Sequence, residues 1–222
     1  MNAFAGFSAD FQPFFKELHE RQDRAWFAEQ KARYENVVKA PMWALVEATN
    51  AALAVRGVPL SGNPRRSVSR INRDVRFSTD KRVYKDHTAA TFTRNPGEMS
   101  PGLLYVHLGV GEAFAGIGFY AVDPEDLAAL RRTISDQQEA WIKVEDGLAA
   151  AGHPVGSEES LKRMPRGFEA QSDSPVAEAI RRKAQTCKLD LRADPLDASL
   201  PFRLADFAVT TMPLLKFGWQ AS

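Results

Sequence analysis

Residues 65–85 carry eight basic side chains, Arg65, Arg66, Arg70, Arg73, Arg76, Lys81, Arg82 and Lys85, against two acidic ones, Asp74 and Asp80. The stretch is +6 in a chain whose formal net charge is +1, so the remainder is −5. Six of the eight cations are arginines, whose planar fork matches the oxygens of carboxylates and phosphates. If residues 68–77 form a strand, Arg70, Asn72, Asp74 and Arg76 face one way and Ile71, Arg73, Val75 and Phe77 the other. Arg73 then stands on the apolar side. A guanidinium there must pair with a carboxylate or bind an anion, because an unpaired buried charge is prohibitively costly.

The residues leave three readings open. In the first, the stretch lines a pocket for a small phosphate- or carboxylate-bearing ligand. Arg70, Arg73, Arg76, Lys81 and Lys85 hold the anion, Asp74 orients the arginines, and Tyr84 and His87 transfer protons if the protein is an enzyme. In the second, the same stretch binds nucleic acid, with Phe77, Tyr84 and Phe92 as stacking faces. The near-neutral total charge speaks against a general nucleic-acid coat or a polybasic membrane binder. In the third, Asp74, Asp80 or other carboxylates pair with the arginines, and the domain is structural or an interaction module. A concave basic pocket, a long basic stripe and a set of neutralised pairs distinguish the three.

Other chemistry finds less support. Gly109, Gly111, Gly116 and Gly118 follow the order G-x-G-x4-G-x-G rather than a dinucleotide fingerprint, and strand-like residues follow them. They read as a hairpin turn and close strand packing. No G-K-[ST] phosphate loop and no G-x-S-x-G elbow occurs, so no cofactor is expected. His19, His87, His107 and His153 are scattered without ligand spacing, so no metal site is expected. His107 reads as a core or sheet-face residue, and Cys187 as a small hydrophobe. Asp74, Asp80 and Asp86, six apart, share neither a helix face nor a calcium loop.

The elements that position these residues follow from periodicity. Phe7, Phe11, Phe14, Phe15 and Leu18 make one helical stripe, with Ser8 as its N-cap. Trp26, Phe27, Tyr34, Val37 and Val38 mark a second helix, and Pro41 suits the first turn of a third that Gly57 closes. These aromatics read as core rather than a ligand cage. The period then changes to two. Residues 103–108 and 114–122 alternate across Gly109-Val110-Gly111 as a hairpin, and residues 87–94 and 68–77 are weaker strands. Asp123-Pro124 starts a helix running to Gly152, and Ser174-Pro175 starts another. Cys187, Leu189 and Leu191 alternate as a short strand. Residues 202–211 are helical, with Pro213 breaking or kinking the helix.

Helices on both sides of a run of strands imply an α+β fold with a mostly antiparallel sheet. At 222 residues and 44% hydrophobic content, one domain over residues 1–222 can build its core without disulfides. No run approaches the roughly 20 apolar residues that span a bilayer. No signal peptide is visible, and the lone cysteine fits the reducing cytoplasm. The oligomeric state is not assigned.

Residues 70–85, R-I-N-R-D-V-R-F-S-T-D-K-x-x-Y-K, resemble the central signature of an uncharacterised bacterial and fungal family, domain of unknown function 2461. Arg24, Trp26, Phe27, Lys31 and Tyr34 look like its R-x-W-F…K…Y element. Gly116-Ile117-Gly118-Phe119-Tyr120 resembles its glycine-aromatic strand, which precedes a helix matched here by Pro124, Leu127, Leu130 and Arg131. Residues 161–168, L-K-R-M-P-R-G-F, are similar to its L-K-R-x-P-x-G-F turn. The resemblance covers nearly the whole chain, which implies one domain, and it supplies no catalytic residues.

Overall fold

The computed structural model describes residues 4–74, 76, 81–96, 100–192 and 196–221. They divide into two compact units. One comprises Met1–Glu98, Tyr105–Ala115 and Asp190–Asp206, the other Met99–Leu104, Gly116–Leu189 and Phe207–Ser222. The fold is α+β, with helices before, between and after the strands of a four-stranded antiparallel sheet.

In the first unit, the aromatic stripe buries α1 (Phe11–Arg21). Phe11, Phe14, Phe15 and Leu18 are at most 1% exposed, while Phe7 lies before the helix with its ring 4.4 Å from that of Phe11. The N-cap is Asp10 rather than Ser8. Its carboxylate does not bond the helix backbone. It accepts from Arg33 Nε at 2.7 Å, and Arg33 Nη1 donates to Glu17 Oε2 at 2.9 Å. The second helical pattern resolves into α2 (Arg24–Glu29), capped by the Asp23 carboxylate at the Trp26 N–H, and α3 (Lys31–Tyr34).

Pro41 falls in the first turn of the third helix, as expected, but no break precedes that helix. The chain runs from α3 through a π-helical turn, Glu35–Lys39, into α4 (Ala40–Val55). Pro41 lacks the N–H that an α-helix would direct back to residue 37, and the wider turn accommodates that loss. Gly57, at φ +68°, ends the helix as expected.

The sheet runs in chain order: β1 (His87–Phe92), β2 (Leu103–Gly109), β3 (Ala113–Phe119) and β4 (Gln185–Asp190). The β2–β3 hairpin turns at Val110-Gly111-Glu112, where the Gly109 N–H donates to the Glu112 carbonyl at 2.8 Å. The described residues of the expected strand 68–77 do not form a regular strand. The described part pairs with the chain around β1 through two isolated bridges, Val68 with Ala90 and Asn72 with Tyr84. The bridges are out of register, and that mismatch prevents a continuous ladder.

In the second unit, the helix expected from Pro124 to Gly152 is two, α5 (Pro124–Asp136) and α6 (Gln138–Ala150), separated at Gln137 by non-helical dihedrals. The helix expected from Ser174 is the short α7 (Ala177–Arg181). In β3, Gly118 sits at φ +136°, against the Gln185 carbonyl of β4, so no side chain fits there.

Residues 200–218 form α8 (Leu200–Gly218), which runs through Pro213 instead of ending there. Pro213 is exposed. The carbonyl it deprives of a partner belongs to Val209, itself 45% exposed, so water can satisfy it. Among the described residues no helix is long and apolar enough to cross a membrane.

Arg131, 8% exposed on α5, has no carboxylate partner among the described residues. Its Nε donates to the Ile180 carbonyl at 2.8 Å and its Nη2 to the Arg182 carbonyl at 2.9 Å. A cationic fork thus occupies carbonyls at the end of α7 that no helical N–H reaches.

Two outcomes follow from this packing. Phe11→Ala should lose about 3–5 kcal/mol in denaturant unfolding, as large-to-small aromatic substitutions in cores do. Arg131→Met should cost about 1–3 kcal/mol for each carbonyl left without a donor. Arg131→Lys should restore little, because one ammonium does not reproduce the fork.

Candidate functional site

The register mismatch is where the candidate site lies. From the Val68–Ala90 bridge to the Asn72–Tyr84 bridge, one strand advances four residues and its partner six. The two extra residues form a bulge in the chain from Lys85 to Ala89. It is bounded by the Lys85 N–H to the Ile71 carbonyl at 2.8 Å and the Ser69 N–H to the Ala89 carbonyl at 2.8 Å. Bulges bend a strand and re-aim its side chains, and they recur beside active sites. This one carries Asp86 and His87.

On the other side β2 approaches closely. The Val110 N–H points to the Asp86 carbonyl at 3.3 Å. A Cβ on Gly109 would stand 2.6 Å from the His87 Cβ, so glycine is what admits the His87 side chain.

Asp86 is the hub of the polar contacts. Its Oδ2 lies 2.9 Å from His19 Nδ1 on α1 and 3.5 Å from Arg82 Nη1, and its Oδ1 lies 3.2 Å from His87 Nδ1. Arg82 Nη1 is also 3.0 Å from His19 Nδ1. That nitrogen can accept from Arg82 or donate to Asp86, but not both at once, so the protonation of His19 decides its partner. Burial tends to raise the Asp86 carboxyl, but the bonds to His87 and His19 outweigh it and hold the group below the ordinary carboxylate range.

His87 stacks on His107 of β2 with centroids 4.2 Å apart, and His107 stacks on Phe114 of β3 at 5.0 Å. The three rings form a column across three strands. Tyr105 Oη lies 3.2 Å from His107 Nδ1, and Glu112 Oε2 lies 3.8 Å from His107 Nε2. His107 is thus a sheet-face residue, as expected. Burial pushes the His87 imidazole below its ordinary value. Asp86 opposes that shift, while the charges of Lys85 and Arg73 add to it.

The expected ligand-binding residues separate into groups. Arg73, Lys85 and His87 come together. The Arg73 N–H donates to the Val83 carbonyl and the Lys85 N–H to the Ile71 carbonyl around the Asn72–Tyr84 bridge, which sets Arg73 and Lys85 diagonally on one face. Both are half-buried, and the Arg73 charge acts on Lys85 and on His87. Burial first, then Arg73, lowers the Lys85 ammonium from its ordinary value. Among the described residues the Lys85 side chain makes no hydrogen bond and no ion pair.

The other expected residues are placed differently. Asp74 and Arg76 form an exposed local pair, with Arg76 Nη2 2.6 Å from Asp74 Oδ2. Such a pair contributes little. Arg70 and Lys81 are exposed. Tyr84 is 5% exposed, its ring 4.5 Å from that of Phe27, and Phe92 is fully buried. Neither ring is open to a stacking base. Asp80 and Phe77 lie outside the described residues, as does Val75. Two surface clefts in the second unit, one lined by Pro101, Phe119 and Leu130 and another by Lys143, Leu148 and Pro213, include none of the expected residues.

Sequence reasoning missed His19, Arg82, Asp86, Tyr105 and His107 as neighbours of His87. The adjacent Asp86-His87 pair at the head of a strand was the one local signal. Among the described residues no three His, Cys, Asp or Glu side chains are grouped to hold a metal ion.

The chain belongs to the family described as conserved hypothetical protein (DUF2461), whose profile matches residues 10–217. The match spans α1, the basic stretch and the strands that carry the histidine column. No curated protein and no solved structure matches the chain.

In ligand-free buffer, His87 should titrate below about 6.5, the ordinary histidine value, when followed by NMR. Asp86→Asn should lower it further by removing the carboxylate that favours the imidazolium. Because the folded value is depressed, the unfolded chain protonates first. The stability His87 contributes is present above about 6.5 and lost as pH falls through the folded value. His87→Asn should flatten that part of the stability–pH curve. Titration at or above the ordinary value would contradict the arrangement.

Proposed function

We propose that this family member binds a small phosphate- or carboxylate-bearing ligand at the bulged ribbon, with Arg73 and Lys85 as the cations and His87, held by Asp86, beside them. The observation that carries the reading is Lys85. It is half-buried, close to a second cation, and without a carboxylate among the described residues. Two like charges drawn partly out of water cost free energy in the empty protein. An anion between them returns that cost through charge-assisted hydrogen bonds.

The alternatives draw less support. Internal pairing accounts for Arg76 with Asp74 but not for Lys85. The nucleic-acid reading needs open aromatic faces, and Tyr84 and Phe92 are buried. Arg70, Arg76 and Lys81, being exposed, serve in this reading as an outer rim that draws anions inward. We also read the protein as cytoplasmic, where the buried Cys187 thiol, pushed up to about 12 by burial, stays reduced and unreactive.

A thermal-shift panel tests the proposal, with phosphate, pyrophosphate, phenyl phosphate and benzoate as probes. The wild type should be stabilised by at least one, by about 2.7 kcal/mol at 100 times its dissociation constant. Arg73→Met and Lys85→Met should abolish the shift. Lys85→Met should leave the ligand-free protein as stable as before or more so, since it removes a partly desolvated charge. No shift in the wild type, with a clear ligand-free loss in Lys85→Met, would favour the structural reading.

A further inference from the structure

We propose that His19, Arg82 and Asp86 form a pH-operated switch that decides which cation holds the carboxylate behind His87. With His19 neutral, Arg82 bridges its ring to Asp86. With His19 charged, the imidazolium takes Asp86 and Arg82 leaves the ring. The switch belongs to the protein without ligand and does not depend on the anion site.

Three atoms define the device. His19 Nδ1, in the last turn of α1, lies 2.9 Å from Asp86 Oδ2 and 3.0 Å from Arg82 Nη1. Arg82 Nη1 lies 3.5 Å from the same carboxylate oxygen. A terminal guanidinium nitrogen carries two N–H groups and can serve two acceptors at once. A bare Nδ1 and Oδ2 are two such acceptors, so the neutral ring carries its proton on Nε2. Protonation then puts a hydrogen on Nδ1. That N–H finds an acceptor in Oδ2, but it meets Arg82 as donor against donor and charge against charge. One arrangement excludes the other, and both lie within bonding distance.

The backbone around the switch is held, so the exchange is one of side chains. At the end of α1, Gln22 adopts φ +48°, and its side-chain amide pairs with the Tyr84 backbone. It accepts from the Tyr84 N–H at 2.9 Å and donates to the Tyr84 carbonyl at 3.3 Å. On the other edge, the Arg73 N–H donates to the Val83 carbonyl at 3.0 Å and the Lys85 N–H to the Ile71 carbonyl at 2.8 Å. The chain between Arg82 and Asp86 is thus pinned at its middle. The His19 side chain is 47% exposed and that of Arg82 36%, open enough to water for either to change partners.

The other charges nearby are engaged elsewhere or turned to solvent. On α1, Lys16, Glu20 and Arg21 are exposed, and Glu17 is taken by Arg33 of α3. Asp23, at the start of α2, caps the Trp26 N–H. Arg82 and Asp86 face the ring from the following chain, and behind Asp86 stands His87, on which Lys85 and Arg73 act. No further hydrogen bond or ion pair reaches the His19 ring among the described residues.

Asp86 transmits the exchange. Its Oδ1 meets His87 Nδ1 at 3.2 Å. A charged His19 on Oδ2 is a closer cation than Arg82 was, and it leaves Oδ1 less able to stabilise a second imidazolium. A proton on His19 therefore opposes a proton on His87, and the two rings titrate as a linked pair through one carboxylate.

NMR of the full chain with isotope-labelled histidine and arginine, titrated with pH in ligand-free buffer, tests the switch. Above its titration, wild-type His19 should carry its proton on Nε2. The Arg82 guanidinium and His87 Nδ1 resonances should each show an inflection at the His19 midpoint. Arg82→Met removes the bridging donor, so the neutral His19 ring should change to the Nδ1–H tautomer and donate to Asp86. His19→Gln can accept from Arg82 but cannot be charged, so that inflection should vanish from both resonances. A neutral wild-type ring protonated on Nδ1, or an Arg82 resonance indifferent to the His19 titration, would overturn the switch. So would inflections that survive unchanged in His19→Gln. A His87 resonance without the inflection would overturn the linkage. Each of these results leaves the anion site standing, since the thermal-shift panel tests that site separately.

Discussion

Between its bridges to Asn72 and Val68, the strand containing Asp86 has two more residues than its partner. A ladder cannot absorb such an excess and keep side chains alternating from face to face. The surplus is expelled as a bulge, and the bulge turns Asp86 and His87 toward groups that a regular strand would not let them meet. The glycine at 109 is the matching concession on the neighbouring strand, because any side chain there would collide with the His87 Cβ. The histidine column and the Asp86 contacts depend on this local failure of register, whereas Arg73 and Lys85 are neighbours through the regular pairing beside it.

Three arginines illustrate how context assigns a role to the same side chain. Arg131 is buried among helix-end carbonyls, which complete its fork without a counter-charge. Arg33 joins two carboxylates, Asp10 and Glu17, and lies over the Phe14 ring at 5.5 Å. Burial and charge are matched in both places, and both side chains act as structural braces. Arg73 differs in what it acts on, because its charge bears on Lys85, a second half-buried cation, and on His87. A half-buried lysine beside a second cation is rarely favoured for the fold's own sake, and charges perturbed in that way cluster at functional sites.

The α+β class, the sheet hairpin, the α1 stripe and the short strand through Cys187 and Leu189 were legible because each rests on local periodicity. Phe11, Phe14, Phe15 and Leu18 repeat at helical spacing wherever the helix is placed. The errors lie where one local rule met a tertiary accommodation. Pro41 does fall in the first turn of α4, yet a π turn joins that helix to the one before it. Pro213 reads as a break or a kink, and the helix does not break there, since Val209, whose carbonyl it deprives of a partner, is exposed. At residue 137 an apolar stripe that looks continuous is interrupted, since periodicity alone does not report a change in helix direction.

The basic stretch was evident in the chain itself, since charge is a property of composition and needs no fold to be counted. So was the parity that sets Arg73 with Ile71, because adjacent residues in extended chain must point opposite ways. Which of those cations meet a partner was decided only by the tertiary structure. Asp74 takes Arg76 across two residues, whereas Lys85 is set beside Arg73 by a pairing twelve residues long. His19, His87 and His107 are separated by 68 and 20 positions, and no spacing rule connects them. Their meeting depends on how the fold brings α1, β1 and β2 together, and the buried side chains of those elements are almost all apolar. The sequence therefore determined how much charge the region holds and which residues share a face. The packed sheet determined which charges are left facing one another, because hydrophobic burial places elements without regard to the polar groups they bring together.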